Sequence, residues 1–125
     1  MAERIEQVSR STAETFGGTI EFEMDWGAPP VVNDKAMAGF AADCAKEVLG
    51  EEEVITYREF PNMGGEDFAN YLLQIPGALM FLSTSNPEKA TSYAHHNPKF
   101  NIDEDVLWEG PAVFTKIAQE FLNRE

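Results

Sequence analysis

The sequence predicts an α/β fold, because apolar residues recur with a helical period in some stretches and with a strand period in others. The clearest helical stripe runs from Met37 to Val48, and the clearest alternation runs from Ile20 to Trp26. The chain has 125 residues, of which 43% are hydrophobic and 11% aromatic. This length suits one domain or a piece of a larger one, with enough apolar residues for a buried core.

The first two elements are a helix and a strand. Residues 3–16 predict an amphipathic helix, which Gly17 and Gly18 end. Residues 19–26 predict a half-buried strand, because large apolar side chains alternate there with polar and acidic ones. Its apolar face carries Ile20, Phe22, Met24 and Trp26. Residues 27–30 contain a glycine and two prolines, and they are typical of a linker.

A second helix follows, capped by Asn33 or Asp34 and ended by Gly50. Its apolar stripe consists of Met37, Phe40, Ala41, Cys44, Ala45 and Val48. Because Cys44 lies inside this stripe, the pattern favours a small buried apolar residue over a reactive thiol.

The middle of the chain predicts shorter elements. Residues 54–57 predict a weak strand, residues 58–65 a loop, and residues 66–74 a short helix. Pro76 and Gly77 then form a turn. Residues 78–82 are a compact apolar run bounded by turn signals, which predicts a buried central strand.

The end of the chain predicts a long loop and a final helix. Residues 83–102 are polar, and loops of this length in compact domains are usually functional or disordered. Asp103 can cap the final helix, and Pro111 predicts a kink or a restart within it. The apolar stripe of this helix consists of Leu107, Val113, Phe114, Ile117 and Phe121.

The charge and the cysteine content exclude several classes of function. The formal net charge is -13, which disfavours nucleic acids and anionic membrane surfaces as partners. The single cysteine allows no internal disulfide and fits a reducing compartment, so we expect a cytoplasmic protein. No signal peptide is evident at the polar N-terminus, and no apolar run approaches the ~20 residues of a membrane span.

Two features of the sequence indicate a binding site. Gly64 and Gly65 precede a helix start. Because glycine has no side chain, a carboxylate can approach the backbone N–H groups there closely. The alternative is a tight turn that requires a positive φ. Glu66 and Asp67 would then either contact a ligand or complement the helix dipole.

The two histidines, His95 and His96, are adjacent in the long polar loop. Imidazole is the commonest metal ligand and a frequent general base. Two neighbouring side chains in an extended loop do not normally point at one site, so we expect at most one of the two to be functional.

Four motifs occur in order along the chain. They are Gly64-Gly65-Glu66-Asp67-Phe68-Ala69, Gln74-Ile75-Pro76-Gly77, His96-Asn97-Pro98-Lys99-Phe100 and Ile102-Asp103-Glu104. Together they resemble the C-terminal third of the metal-dependent amidohydrolases, which include hippurate hydrolase, bacterial aminoacylases and auxin-amino-acid conjugate hydrolases, relatives of the bacterial glutamate carboxypeptidases. Residues 31–34 look like this family's entry from the lid into the catalytic domain.

The resemblance implies a two-domain parent enzyme. Its three-layer α/β catalytic domain binds two metal ions, commonly zinc, and an inserted ferredoxin-like lid mediates dimerisation. Residues 1–28 would be the last helix and strand of this lid, and residues 29–125 would be the C-terminal segment of the catalytic domain. The chain would therefore hold an incomplete three-layer segment with part of the lid.

The resemblance also assigns candidate site residues. His96 matches the family's C-terminal metal ligand, and Gly64 and Gly65 match the loop beside the substrate carboxylate. The other metal ligands and the catalytic glutamate have no counterpart here, so no catalytic residue is assigned. Ser83 stands where many members have glycine.

These assignments predict a C-terminal fragment of a zinc-dependent hydrolase of N-acyl amino acids or dipeptides, inactive as an isolated chain. The alternative is a stand-alone acidic interaction module derived from such an enzyme. The complete enzyme would bind a divalent metal, with zinc first among the candidates, and the isolated chain would bind metal weakly or not at all. The expected partners are a small-molecule substrate and either a second copy of the chain or the missing N-terminal part.

Overall fold

The computed structural model describes residues 1–57 and 64–124. In this part of the chain the regular elements are all helical: α1 (Ala2–Thr15), α2 (Lys35–Leu49), α3 (Ala69–Leu72) and α4 (Glu109–Leu122), with three short 3₁₀ helices at Glu51–Glu53, Pro87–Lys89 and Glu104–Val106. The predicted loop over residues 58–65 falls largely outside the described residues. Among those described, no helix is long and apolar enough to cross a bilayer.

Helix α1 confirms the first predicted element and ends at the predicted glycines. Gly17 has a φ of 73°, in the left-handed region that glycine tolerates. Its N–H donates to the carbonyl of Glu14 at 3.0 Å, and the N–H of Gly18 donates to that of Ala13 at 2.9 Å. This is the Schellman arrangement, which satisfies carbonyls that the helix leaves unpaired. No residue of α1 is buried.

Helices α2 and α4 form the core of the described structure. The buried apolar residues include Ala41, Cys44 and Ala45 of α2 and Val113 of α4. Their small size lets the helices approach closely, while the larger rings of Phe40 and Phe121 lie 6.4 Å apart at the periphery. The predicted stripe and the burial of Cys44 are confirmed, and burial also raises the pKa of this thiol.

The predicted strand over residues 19–26 is wrong as a paired strand, because no strand is present among the described residues. The alternation itself is visible in burial: Ile20, Phe22 and Met24 are half-buried. Trp26 is 79% exposed. A strand needs a neighbour to receive its backbone hydrogen bonds, and the described residues supply none for this segment.

The predicted strands at residues 54–57 and 78–82 are wrong for the same reason, and the second is not buried. Phe81 is 63% exposed, although a central strand would bury it. The backbone of Leu79 is instead paired by a side chain: Asn33 accepts from its N–H at 2.9 Å and donates to its carbonyl at 3.0 Å. The described residues therefore contain no β-sheet. The predicted α/β class, with its three-layer segment and its ferredoxin-like part, is not seen in this part of the chain.

The structure decides between the two predicted caps of α2 and shifts the start of the final predicted helix. Asp34, rather than Asn33, caps α2 by accepting from the N–H of Met37 at 2.9 Å. Asp103 caps the short helix at Glu104–Val106 rather than the final helix. Helix α4 begins later, at Glu109, so that Pro111 lies in its first turn, where no hydrogen-bond donor is required. Of the predicted kink or restart at Pro111, the structure shows a helix start, two residues earlier at Glu109.

Candidate functional site

The two glycines of the candidate substrate loop lie just before α3, and both are exposed. The backbone of Gly65 is outside the left-handed region, so the turn that would require a positive φ is absent there. A Cβ added at Gly65 would meet no atom within 4 Å in residues 1–57 and 64–124. The described fold therefore does not itself require glycine at this position, and the backbone is open to a molecule from outside.

The acidic pair after these glycines has a local role. The Glu66 carboxylate accepts a hydrogen bond from the backbone N–H of Phe68 at 3.2 Å, which is a capping contact. Asp67 contributes its carbonyl, which accepts from the N–H of Asn70 at 2.9 Å. The predicted helix over residues 66–74 shrinks to Ala69–Leu72, because turns precede and follow it.

The histidine pair lies on a β-turn. The N–H of Asn97 donates to the carbonyl of Ala94 at 3.2 Å, which places His95 and His96 at the two central positions of the turn. His96 has a φ of 66°, whereas His95 has no positive φ, and this combination is that of a type II turn. The turn therefore places the two adjacent histidines in different backbone conformations.

A second turn follows and gives His95 an intramolecular partner. The N–H of Phe100 donates to the carbonyl of Asn97 at 2.9 Å, and the two turns together bring the chain back on itself. The rings of His95 and Phe100 meet edge to face, with centroids 5.1 Å apart and planes at 77°. Nearby, the Lys99 ammonium lies 5.6 Å from the centroid of the Tyr93 ring. Both histidines are exposed, and His95 is in addition held in this aromatic contact.

The described residues do not by themselves form a metal centre. Residues 1–57 and 64–124 contain no group of three or more His, Cys, Asp or Glu side chains placed to hold an ion. Catalytic zinc needs three protein ligands and one open position. The role of His96 as a metal ligand therefore stays a prediction, and the structure shows only that its side chain is exposed.

The loop that carries the histidines is fastened by a polar cluster that the sequence did not reveal. Within the described residues, Thr91 and Asp103 are the buried polar side chains, at 4% and 6% exposure. Asp103 accepts from Lys89 at 2.6 Å and from the side-chain amide of Asn86 at 2.7 Å. We call Asn86, Lys89, Thr91 and Asp103 the loop clasp.

The loop clasp also joins the two ends of the loop through the backbone. The carbonyl of Thr84 accepts from the N–H of Asp103 at 3.1 Å and from the hydroxyl of Thr91 at 2.9 Å. The Thr91 hydroxyl in turn accepts from the N–H of Asn86 at 2.8 Å. The sequence Asn86-Pro87 does signal a helical start, but nothing in it shows that Asn86 reaches Asp103.

The charges in the loop clasp reinforce one another. The ammonium of Lys89 and the amide of Asn86 hold the pKa of Asp103 below its ordinary value. Asp103 and Asp105 raise the pKa of Lys89, which also forms an ion pair with Asp105. The Asp103–Lys89 pair is therefore ionised at neutral pH.

Comparison with known proteins identifies the family. The family profile described as peptidase family M20/M25/M40 matches residues 4–120. YhaA of Bacillus subtilis (strain 168), described as a candidate amidohydrolase, is 34% identical over 107 residues, which cover 86% of this chain and 26% of YhaA.

Two further relatives carry names with an assigned reaction. IAA-amino acid hydrolase ILR1-like 4 of Arabidopsis thaliana is 31% identical over 126 residues, covering 98% of this chain and 28% of the relative. Thermostable carboxypeptidase 1 of Saccharolobus solfataricus is 31% identical over 119 residues, covering 94% of this chain and 29% of the relative. No solved structure matches the chain.

The chain thus spans between 26% and 29% of the length of these three relatives. The resemblance to metal-dependent amidohydrolases that the four motifs indicated is confirmed. Because the family profile covers residues 4–120, the chain belongs to peptidase family M20/M25/M40.

Proposed function

We propose that this chain is the C-terminal part of a metal-dependent hydrolase that cleaves the amide bond of N-acyl amino acids or dipeptides. The observation that carries the proposal is the family match over residues 4–120, combined with coverage of little more than a quarter of each relative. The names of two of these relatives supply the substrate class, an amino-acid conjugate in one and a peptide C-terminus in the other.

Within this proposal, His96 supplies one metal ligand through its neutral imidazole. A bound divalent metal, for which zinc is our first candidate, would polarise the amide carbonyl and activate water. The exposed turn that carries His96 supports this role. Its imidazole is accessible to a metal ion whose other ligands come from other parts of an assembled enzyme.

Gly64 and Gly65 would receive the substrate carboxylate through the backbone. The open space around Gly65 supports this role, since a side chain there would obstruct an approaching group without being needed by the described fold. The division of the chain into a lid part, residues 1–28, and a catalytic part, residues 29–125, belongs to the same proposal.

The partners in this proposal are the substrate and the polypeptide that supplies the other metal ligands. That polypeptide is either joined to this chain or a separate subunit. A second copy of this chain is a further candidate partner. A cytoplasmic location remains a prediction, supported by the free, buried Cys44.

A stand-alone interaction module is the second candidate function. Large apolar side chains such as Trp26, Phe81 and Trp108 are more than half exposed, and surfaces of this kind often bind a partner. An activity assay distinguishes the two functions. An interaction module would not support catalysis when it replaces the matching segment of a complete family member.

The experiment is a chimera. The segment of IAA-amino acid hydrolase ILR1-like 4 that matches this chain is replaced by residues 1–125, and release of the amino acid from an IAA conjugate is measured. We expect turnover by the chimera and none by the isolated chain with added zinc, manganese or cobalt. A folded chimera without turnover would support the interaction module and contradict our proposal.

A further inference from the structure

The segment between the two buried polar residues carries both histidines. Residues 92–102 leave Thr91 and return at Asp103, and both of these residues are more than nine-tenths buried. Every residue from 92 to 101 is exposed, and Ile102 is half-buried. The segment is therefore an exposed excursion whose two ends are fixed and whose middle is not covered by the rest of the described chain.

The fixed ends meet at a single carbonyl. Thr84 accepts hydrogen bonds from the hydroxyl of Thr91 and from the N–H of Asp103, so the entry and the exit of the segment lie within reach of one atom. Asn86 and Lys89 then bridge the same two ends from the side, through the Asp103 carboxylate. Ordering an exposed loop costs conformational entropy, and closing its ends in advance reduces that cost.

We propose that the loop clasp is a positioning device that fixes the conformation of residues 92–102 and thereby the place of His96. Asp103 is its central residue, since its carboxylate receives Lys89, Asn86 and the N–H of Asp105 at once. The loop clasp touches neither histidine; it acts through the closure of the segment that carries them.

The ordering of residues 92–102 by the loop clasp does not depend on the proposed function. Only the use of that order, which is to hold a metal ligand in place, rests on it. Charge-assisted hydrogen bonds to a buried carboxylate are among the stronger polar contacts in proteins. Asp103→Asn removes the charge and replaces one of the two acceptor oxygens by an NH2 donor, so Lys89 and Asn86 cannot both keep their acceptors and the closure of the segment weakens.

The test measures backbone order parameters by nuclear magnetic resonance in the full chain. In the unchanged protein we expect order parameters near ~0.85 over residues 92–102, and after Asp103→Asn values below ~0.6, the range of flexible backbone. Helices α2 and α4 should keep their values. We also expect the ring contact between His95 and Phe100, seen as a nuclear Overhauser effect, to disappear.

Two further variants and a control sharpen the test. Lys89→Met should free the segment as Asp103→Asn does, while Lys89→Arg, which keeps the charge and the donors, should retain its order. Glu104→Gln removes one carboxylate next to Asp103, but its side chain is exposed and makes no hydrogen bond in the described part of the chain. This control should leave residues 92–102 ordered.

Two results would overturn the positioning role. One is unchanged order over residues 92–102 in both Asp103→Asn and Lys89→Met. The other is a loss of order that extends equally to α2 and α4, because the cluster would then stabilise the fold generally.

The test is independent of the metal. If His96→Ala leaves chimera turnover intact, the proposed ligand role fails while the loop clasp stands. If both Asp103→Asn and Lys89→Met leave the segment ordered, the loop clasp fails while the ligand role of His96 stands.

Discussion

At the scale of single residues, the backbone separates two histidines that the sequence presents as equivalent. His96 has a positive φ, which costs a residue with a Cβ about 1–2 kcal/mol relative to the right-handed region. His95 adopts no such conformation and packs against Phe100. The side chain at position 96 therefore has a cost in stability that the one at position 95 does not have.

This cost predicts the effect of glycine at the two positions. We expect His96→Gly to leave the free energy of unfolding unchanged or to raise it by up to about 1 kcal/mol, since glycine accepts the positive φ. The matched change His95→Gly should lower it, because the Phe100 contact is lost. Urea unfolding measures both. A loss above about 1 kcal/mol in His96→Gly would show that the imidazole itself supports the described fold.

Gly65 gives a second prediction at this scale. Gly65→Ala should change the free energy of unfolding by less than about 0.5 kcal/mol, because the added methyl group meets open space and no positive φ is involved. Gly77→Ala is the comparison: its Cβ would lie 3.0 Å from a methyl carbon of Leu72, so the leucine side chain must shift to admit it, and we expect a larger loss there than at Gly65.

The two glycine variants should differ again in the chimera. There, Gly65→Ala should raise the KM for the conjugate, because the methyl group obstructs the proposed carboxylate site. An unchanged KM would argue against a substrate role for this loop.

At the scale of elements, helices were predictable and strands were not. The helical stripes and end signals of α1, α2 and α4 depend on residues within a few positions of one another, so the sequence contains them. A strand depends on a neighbour that is distant in sequence. The alternation over residues 19–26 predicted three half-buried side chains, Ile20, Phe22 and Met24, but it was wrong for Trp26 and did not provide the partner strand.

For the candidate site too, the local features were predictable from the sequence and the long-range contacts were not. The motifs around Gly64 and His96 were visible because they are local, whereas the loop clasp joins Asn86 to Asp103 across the loop that carries His96. From the sequence, Asp103 was recognised as a member of the fourth motif and as a cap of the final helix, and in the structure it caps Glu104–Val106 instead. Nothing in the local sequence indicated that its carboxylate also receives Lys89.

The ionisation of Asp103 predicts how the loop responds to acid. Its pKa in the folded chain lies below the ordinary value of 3.8, so its contribution to order is present above that value. The contribution is lost as the pH falls through the lowered pKa. Lys89 stays charged throughout this range, because its own pKa is raised, and Asp105 is the other carboxylate facing it.

We therefore expect residues 92–102 to lose order in acid before α2 and α4 lose helicity. The measurement is the pH dependence of the His95–Phe100 contact beside far-ultraviolet circular dichroism. Glu104→Gln should behave like the unchanged chain. A single transition shared by the loop and the helices would contradict the assignment to Asp103.

At the scale of the whole molecule, the described chain exposes more large apolar side chains than it buries. Trp26 and Phe81 lie on segments whose sequence is typical of strands, and the described residues pair neither segment. Exposed apolar side chains on unpaired extended segments favour association with another chain. The net charge of -13 opposes this association, and salt screens such repulsion.

We therefore predict that the isolated chain forms a discrete dimer or higher oligomer with residues 19–26 in or beside its interface, and that added salt strengthens it. Light scattering after size exclusion at about 100 µM measures this, a concentration at which contacts of modest affinity are populated. Trp26→Ser should weaken the oligomer, and Phe114→Ser, an exposed ring on α4, should not. A monomer at that concentration in high salt would contradict the prediction.

We propose that this chain provides one metal ligand of an M20-type hydrolase, and that His96 rather than His95 is that ligand. The most direct measurement is turnover of an IAA–amino acid conjugate by the chimera with IAA-amino acid hydrolase ILR1-like 4, comparing His96→Ala with His95→Ala. We predict that His96→Ala abolishes turnover and metal loading, whereas His95→Ala retains most of both. Retained turnover in His96→Ala, or its loss in His95→Ala alone, would contradict the account.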